Sequence, residues 1–216
     1  MIKAIIFDLW GTLFESDATT LPFEEFATKL GRTYRNPEFY TVFSETFMAH
    51  PITHIEQTMH EFTKNIGVDV NEGLIHELCE IFKKNGTVRK YAFPETIAVL
   101  QELKKRYKIA ILSNTTNISM KQIFEKFPLY ELVDEIILSY EVGMQKPDPR
   151  IYEIALEKLS VSKDEVIMVG DSLRLDVQSA EDFGIKGILI DRKNKNSDYP
   201  NRITSLTELP KLLEQM

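Results

Sequence analysis

The chain has 216 residues, with 33 acidic and 26 basic side chains and a formal net charge of −7. Its 43% hydrophobic and 27% charged residues are typical of a globular protein and exclude a disordered one. The acidic balance, without a Lys/Arg stripe, argues against a nucleic-acid partner. No apolar run approaches the ~18 residues of a membrane span, so no membrane association is expected. The single Cys79 cannot form an internal disulfide, which predicts a cytoplasmic protein.

Short apolar runs rich in β-branched residues recur along the chain and predict strands buried on both faces. They lie at residues 2–7, 109–112, 136–138, 166–169 and 188–190. Helical patterns separate them at 96–106 and 149–159, the second opened by Asp148 and Pro149 as N-cap and first turn. A capping box, Ser205-x-x-Glu208, predicts a last helix. This alternation indicates an α/β fold with a doubly wound, mainly parallel, Rossmann-like sheet.

Residues 15–89 break the alternation of strands and helices. They contain amphipathic stretches, at 23–30, 39–49, 55–66 and 73–84, and no convincing buried strand. We therefore predict a core made of residues 1–14 and 90–216, with residues 15–89 inserted after the first strand as a helical segment. Near the end of the core, the polar residues 191–201 predict a surface loop.

The candidate site consists of the residues that follow the apolar runs, because open α/β sheets bind ligands outside the carboxyl ends of their strands. A lysine and the residues after the first, second and fourth runs would converge there. They are Asp8, Trp10, Gly11, Thr12, Ser113, Asn114, Lys146, Asp171, Ser172 and Asp176. Carboxylate, hydroxyl, amide and ammonium groups at one edge of a sheet predict an active site.

These residues resemble the four motifs of the haloacid dehalogenase-like hydrolase superfamily, in the family's order along the chain. The motifs are Asp8-x-Trp10-Gly11-Thr12-Leu13, Ser113, Lys146, and Gly170-Asp171-Ser172 with Asp176 beyond it. The helical segment 15–89 lies where this family inserts its cap. The resemblance therefore covers the core from end to end.

The resemblance implies a role for each of these residues. Asp8 would be the nucleophile and form a covalent aspartyl intermediate, while Ser113 and Lys146 hold the transferred group. Asp8, Asp171 and the backbone carbonyl of Trp10 would bind a metal. The remaining candidates divide into substrate-binding residues, Gly11, Thr12 and Asn114, and supporting residues, Ser172 and Asp176.

Electrostatics supports a metal ion independently of the resemblance. Asp8 and Asp171 on adjacent strand ends repel one another unless a cation lies between them. A hard divalent cation with oxygen ligands, usually Mg²⁺, meets this need. Such a cation would also let an anionic phosphate approach a cluster of carboxylates, and Lys146 suits both Asp8 and a phosphate oxygen.

Position 10 departs from the family's phosphatases, which carry a second aspartate there as general acid and base. An indole cannot shuttle a proton, and such help is typically worth ~10²–10⁴-fold in rate. The first hypothesis is therefore a Mg²⁺-dependent phosphohydrolase that forms an aspartyl-phosphate from a small anionic phosphorylated metabolite. Its general acid would be weakened, or relocated to Glu15 or a water molecule. Acyl and aryl phosphates would suit it, because their leaving groups need little protonation.

Two alternatives remain open. The family's 2-haloacid dehalogenases have a tyrosine at the position of Trp10, need no metal and release halide without a general acid. They typically place Ser-x-Asn where this chain has Gly170-Asp171-Ser172, so the retained carboxylate favours the phosphohydrolase. The third hypothesis is a slow or non-catalytic protein that binds a phosphometabolite. The sequence leaves open both a monomer and a homodimer.

Overall fold

A parallel β-sheet forms the centre of the protein, of which a computed structural model describes residues 1–215. Its strands lie in the order β5-β4-β1-β6-β7-β8, and every neighbouring pair is parallel. They are β1 (Ala4–Phe7), β4 (Lys108–Ser113), β5 (Glu135–Leu138), β6 (Val166–Gly170), β7 (Lys186–Ile190) and β8 (Arg202–Ile203). The parallel α/β sheet predicted from the apolar runs is confirmed.

Both faces of this sheet are covered, which explains why its strands are apolar without alternation. On β1, Ile5 and Phe7 join one buried cluster, whereas Ala4 and Ile6 join the cluster on the opposite face. The covering helices are α5 (Thr96–Leu103), α6 (Asn117–Lys126), α7 (Leu129–Leu132), α8 (Ser139–Val142), α9 (Pro149–Leu159), α10 (Ser179–Phe183) and α11 (Leu209–Leu213). Shorter turns complete the core at Lys163–Glu165 and Leu206–Glu208, with a π-helical segment at Leu173–Gln178.

The predicted helix starts are confirmed, and some predicted ends shift. Asp148 caps α9, its carboxylate accepting a hydrogen bond from the Arg150 backbone N–H at 2.9 Å. The capping box of Ser205 and Glu208 opens the turn before α11. The first strand begins at Ala4 instead of residue 2, and the helix predicted over 96–106 ends at Leu103, where the chain turns into β4.

Residues 15–89 fold mainly into helices, as predicted: α1 (Pro22–Lys29), α2 (Pro37–Met48), α3 (Ile55–Asn65) and α4 (Glu72–Thr87). The segment also begins in a short strand that the apolar patterns do not show, in which Glu15 and Ser16 are only half-buried. Strand β2 (Phe14–Ser16) pairs antiparallel with β3 (Lys90–Ala92), so that the segment leaves and returns through a two-stranded stem. Each strand has only three residues, too few for a pattern of alternation to be visible in the sequence.

The stem is closed at its outer end by an ion pair. The Arg89 guanidinium lies 2.8 Å from the Asp17 carboxylate, and the Asp17 N–H donates to the Arg89 carbonyl at 3.0 Å. Among residues 1–215, no helix is both long and apolar enough to cross a membrane.

The helical segment has its own aromatic core, centred on the fully buried Phe47. Its ring centroid lies 4.8 Å from that of Phe43, 5.0 Å from that of Phe82 and 5.2 Å from that of Phe62. These phenylalanines come from α2, α3 and α4, so their burial holds the helices together. The apolar positions identified in the sequence therefore serve mainly to stabilise the segment itself.

We expect Phe47→Ala to lower the free energy of unfolding by ~3–5 kcal/mol, the usual cost of removing a buried ring. Tyr130→Ala is the control, because its side chain is 73% exposed and its removal leaves no buried cavity. Urea denaturation of both variants measures the difference. Equal losses for the two variants would contradict a shared aromatic core.

Candidate active site

Three neighbouring strands end at the same edge of the sheet, and the residues that follow them form the site. β1 lies between β4 and β6. Asp8 directly follows β1, Asn114 follows β4 and Asp171 follows β6. The Asp8 N–H donates to the Val169 carbonyl of β6 at 2.9 Å, which fixes the start of the loop that follows β1. The predicted convergence at the carboxyl ends of the strands is observed.

The ammonium of Lys146 forms the centre of the site. It donates to Oδ1 of Asp176 at 2.6 Å, to Oδ1 of Asp8 at 2.7 Å and to the Leu112 carbonyl at 3.0 Å. Lys146 is only 3% exposed. Burial lowers the pKa of its ammonium, but the charges of Asp176 and Asp8 outweigh that effect and raise the pKa above its usual range. The two carboxylates thus favour the charged form of Lys146.

Three carboxylates surround this position, since oxygens of Asp8, Asp171 and Asp176 lie within 4.8 Å of one another. Burial raises the pKa of Asp8 to about 7; Lys146 opposes this rise, and Asp176 and Asp171 add to it. Desolvation also raises the pKa of Asp171 to about 6, and the negative charge of Asp176 adds to this rise. Burial and the neighbouring carboxylates thus both disfavour the charged forms of Asp8 and Asp171.

This donor set fits a hard divalent cation. Carboxylate oxygens are ligands that Mg²⁺ prefers, and one ammonium offsets only one of three negative charges. The loop after β1 also approaches this carboxylate closely: Gly11 has a φ of +74°, and a Cβ there would lie 2.3 Å from Oδ2 of Asp171. Glycine is therefore required at position 11 for the Asp171 carboxylate to reach the site.

Two polar side chains hold the charged residues in place. Asn114 makes paired hydrogen bonds with the backbone of Lys146, donating to its carbonyl and accepting from its N–H, both at 2.8 Å. The second oxygen of Asp176 accepts from the Ser172 N–H at 2.9 Å. Asn114 and Asp176 thus orient Lys146.

The indole of Trp10 is fixed by a hydrogen bond. Its Nε1–H donates to Oγ1 of Thr115 at 3.0 Å, and the hydroxyl of Ser139 bonds both the N–H and the carbonyl of Thr115. The one N–H donor that Trp10 carries is therefore engaged with the protein. Its side chain is a rigid wall of the site.

A cavity of about 440 Å³ lies between this edge of the sheet and the helical segment. Its floor includes eight of the ten predicted residues: Asp8, Trp10, Gly11, Asn114, Lys146, Asp171, Ser172 and Asp176. The wall on the opposite side is apolar, with Phe23, Phe43 and Met48 among its side chains. Glu15 of the stem adds a further carboxylate to the lining.

The hydroxyls of Thr12 and Ser113 differ from the other predicted groups. Both residues are fully buried, and neither hydroxyl has a hydrogen-bond partner among residues 1–215. Neither residue is part of the cavity wall within that range. Each of these two buried hydroxyls is therefore a hydrogen-bond donor without an acceptor among residues 1–215.

Arg192 is a residue of this site that the sequence analysis missed, since it lies in the predicted surface loop. Its guanidinium donates to the Gly11 carbonyl at 3.2 Å and the Thr12 carbonyl at 2.7 Å. It also pairs with Glu95 at 2.7 Å and lies 3.6 Å from the ring centroid of Phe93. Arg192 thus holds the loop that carries Asp8. Its position just after the run 188–190 was the available signal, because that run also ends at this edge.

Comparisons with known proteins agree with this geometry. Residues 2–184 match the family model described as haloacid dehalogenase-like hydrolase. A relative from Pseudomonas sp. (strain CBS-3), (S)-2-haloacid dehalogenase 1, is 28% identical, over 98% of this chain and 96% of its own. A glyceraldehyde 3-phosphate phosphatase from Methanothermobacter thermautotrophicus is 25% identical, over 88% of this chain and 86% of its own.

A solved structure shares the fold. It is an enzyme of the same family from Bacteroides thetaiotaomicron, in complex with magnesium and inorganic phosphate. The two chains superpose with a TM-score of 0.60 at 21% identity, over 88% of this chain and 94% of the other. The relatives thus include both dehalogenases and phosphatases.

Removing Arg192 tests its hold on the loop after β1. Arg192→Ala leaves two carbonyls and the Glu95 carboxylate without their partner, so we expect the free energy of unfolding to fall by ~1–3 kcal/mol. Arg106→Ala is the control, because Arg106 is exposed and pairs with Glu214 at 3.5 Å; it should cost below ~1 kcal/mol. Urea unfolding measures both, and equal effects would refute the assigned role.

Proposed function

The chain belongs to the haloacid dehalogenase-like hydrolases, and we propose that it is a Mg²⁺-dependent phosphohydrolase acting through Asp8. The observation that carries the proposal is the excess of carboxylates: Asp8, Asp171 and Asp176 face a single ammonium, that of Lys146. A dehalogenase that works without a metal has no need for this excess. A phosphohydrolase needs it to hold the cation that a phosphate group requires.

In the proposed reaction, an oxygen of Asp8 attacks the phosphorus of a phosphomonoester. The phosphorus–oxygen bond to the leaving group breaks, its electron pair goes to that oxygen, and an aspartyl-phosphate forms. Water then attacks the phosphorus, which releases inorganic phosphate and restores the Asp8 carboxylate. Lys146 offsets negative charge on Asp8 throughout.

The metal would be held by Asp8, Asp171 and the Trp10 carbonyl. Mg²⁺ bound there supplies electrostatic stabilisation of the phosphoryl oxygens. Gly11, Thr12, Ser113 and Asn114 complete the proposed surroundings of the phosphate. The buried hydroxyl of Ser113 supports this proposal, because it is a donor without an acceptor in residues 1–215.

Trp10 limits the leaving groups that such a site could expel. Its indole N–H is already donated to Thr115, so the usual position of the general acid supplies no proton. Aryl and acyl phosphates, whose leaving groups are weak bases, are the proposed substrate classes. Within residues 1–215, Glu15 is the cavity carboxylate outside the Asp8–Asp171–Asp176 cluster and is our candidate for a relocated acid.

We propose that residues 15–89 act as the cap of this enzyme. The cavity lies under this segment, and the apolar side chains of Phe23, Phe43 and Met48 line it. Such a wall excludes water from the reacting phosphate. The antiparallel stem of β2 and β3 joins the cap to the core and is the proposed hinge.

A 2-haloacid dehalogenase is the second candidate, because two observations favour it. Trp10 replaces the proton-donating aspartate of the phosphatases by an aromatic side chain, and a relative 28% identical over nearly the whole chain is an (S)-2-haloacid dehalogenase. In that reaction Asp8 would attack carbon and expel halide, with no demand for a general acid. The two functions differ in their need for metal, and this difference separates them.

The first test is hydrolysis of p-nitrophenyl phosphate by the purified protein. We expect activity with Mg²⁺, its loss on chelation and its return when Mg²⁺ is restored. Asp8→Asn should abolish turnover, because the amide is not a nucleophile. Asp198→Asn, a change at an exposed loop carboxylate, is the control and should retain full activity. Release of chloride from 2-chloropropionate, unchanged by chelation and without phosphate hydrolysis, would establish the dehalogenase instead.

The second test restores the missing acid with Trp10→Asp. Alkyl phosphates need a proton on the leaving oxygen, whereas p-nitrophenolate does not. The ratio of kcat/KM for glycerol 3-phosphate to that for p-nitrophenyl phosphate should therefore rise at least ~10-fold. General acid catalysis is typically worth ~10²–10⁴-fold, and the lower figure allows for imperfect placement of the introduced carboxylate. Trp10→Phe is the matched control and should leave the ratio unchanged. No change in Trp10→Asp would refute the idea that position 10 limits the leaving group.

A further inference from the structure

A second cavity, of about 650 Å³, adjoins the first on the outer side of Lys146. It lies between the start of α2 and the core residues on either side of Pro147. The two cavities share four lining residues, Tyr40, Lys146, Ser172 and Leu175. The two cavities are therefore neighbours, with Tyr40 and Lys146 in the wall of both.

The two cavities have opposite charge. In the first, four carboxylates, of Asp8, Glu15, Asp171 and Asp176, outnumber the ammonium groups of Lys90 and Lys146. In the second, Lys146 is already paired with Asp8 and Asp176, and the three remaining cations, of Arg35, Arg150 and Arg174, outnumber the carboxylates of Glu45 and Asp148. A cationic cavity in a chain of net charge −7 indicates a site for an anion.

Two of these arginines are available to a ligand. Arg150 is occupied, since its guanidinium forms several hydrogen bonds with the Asp148 carboxylate. The Arg174 side chain makes no hydrogen bond or ion pair within residues 1–215. In that same range, the one hydrogen bond of the Arg35 side chain is to the Tyr34 hydroxyl at 3.4 Å, and its guanidinium lies 5.7 Å from the Tyr34 ring centroid.

Arg174 and Arg35 stand on different sides of the boundary between cap and core. Arg174 belongs to the π-helical segment that follows Ser172, and Arg35 precedes α2 in the cap. Tyr40, Lys146 and Arg174 all line the second cavity, so a ligand in that cavity has both cations in its wall.

We propose that the substrate is a phosphomonoester that carries a second anionic group, which Arg174 and Arg35 bind in the second cavity. The proposal rests on the proposed phosphohydrolase function and assigns its substrate class. An Arg guanidinium binds carboxylate and phosphate oxygens through paired hydrogen bonds, so either anion suits the site. An arginine from the cap and one from the core would then also favour closure of the cap over a bound substrate.

A pair of matched esters tests the proposal. 4-Carboxyphenyl phosphate and 4-carbamoylphenyl phosphate are aryl phosphates of nearly equal shape that differ in having a carboxylate or a neutral amide at the end distant from phosphate. With Mg²⁺, the wild-type protein should prefer 4-carboxyphenyl phosphate in kcat/KM. Arg174→Ala should reduce that preference about tenfold, mainly through KM, since one charge-assisted contact is lost. Arg174→Lys, which keeps the charge, should retain part of it, and Arg106→Ala, far from both cavities, should retain all of it.

Three results would overturn the proposal. The first is equal turnover of the two esters by the wild-type protein, and the second is an unchanged preference in Arg174→Ala. In both cases hydrolysis of p-nitrophenyl phosphate would leave the proposed phosphohydrolase function intact. The third is the absence of any phosphatase activity, p-nitrophenyl phosphate included, which would reject the proposed function and this substrate class together. Far-ultraviolet circular dichroism of each variant verifies that it is folded.

Discussion

The contact of the Lys146 ammonium with Asp8 and Asp176 is the interaction on which the rest of the site depends. Its three acceptors come from three strand ends: Asp8 follows β1, the Leu112 carbonyl belongs to β4, and Asp176 follows β6. Leaving a buried charge without its partner costs several kcal/mol, so the carboxylates and the ammonium hold one another in place. One side chain thus ties together the loops that a parallel sheet brings to one edge.

The same contact leaves a charge imbalance, and the imbalance gives the site its chemistry. One ammonium cannot neutralise three carboxylates; burial raises the pKa values of Asp8 and Asp171, and the charges of neighbouring carboxylates add to the rise. A divalent cation would remove it and would turn a cluster that repels anions into one that accepts phosphate. An anionic phosphate that approaches a protein of net charge −7 therefore needs positive charge at the site itself.

Much of this arrangement could be predicted from the sequence, because it depends on local patterns. Strands buried on both faces are continuously apolar, and the carboxyl ends of those strands located Asp8 and Asp171. The stem could not be predicted, since three-residue strands carry no readable alternation. Nor could Arg192, whose partners are the backbone carbonyls of Gly11 and Thr12, about 180 positions away in the chain. Every residue has a backbone carbonyl, so the composition of neither segment indicates such contacts.

Trp10 connects the chemistry of the site to its recognition of substrate. The hydrogen bond to Thr115 makes the indole a fixed wall, so the proposed reaction depends on charge and orientation instead of on proton delivery. An enzyme without a strong general acid gains most from binding energy that is realised far from the reacting bond, because that energy can be used to orient the phosphate. In the proposed substrate complex, the cationic cavity beyond Lys146 would supply such a remote contact. Under the proposed function, Trp10 and the arginines of the second cavity are therefore linked: Trp10 provides no proton donor, and the arginines would provide the binding energy that orients the phosphate.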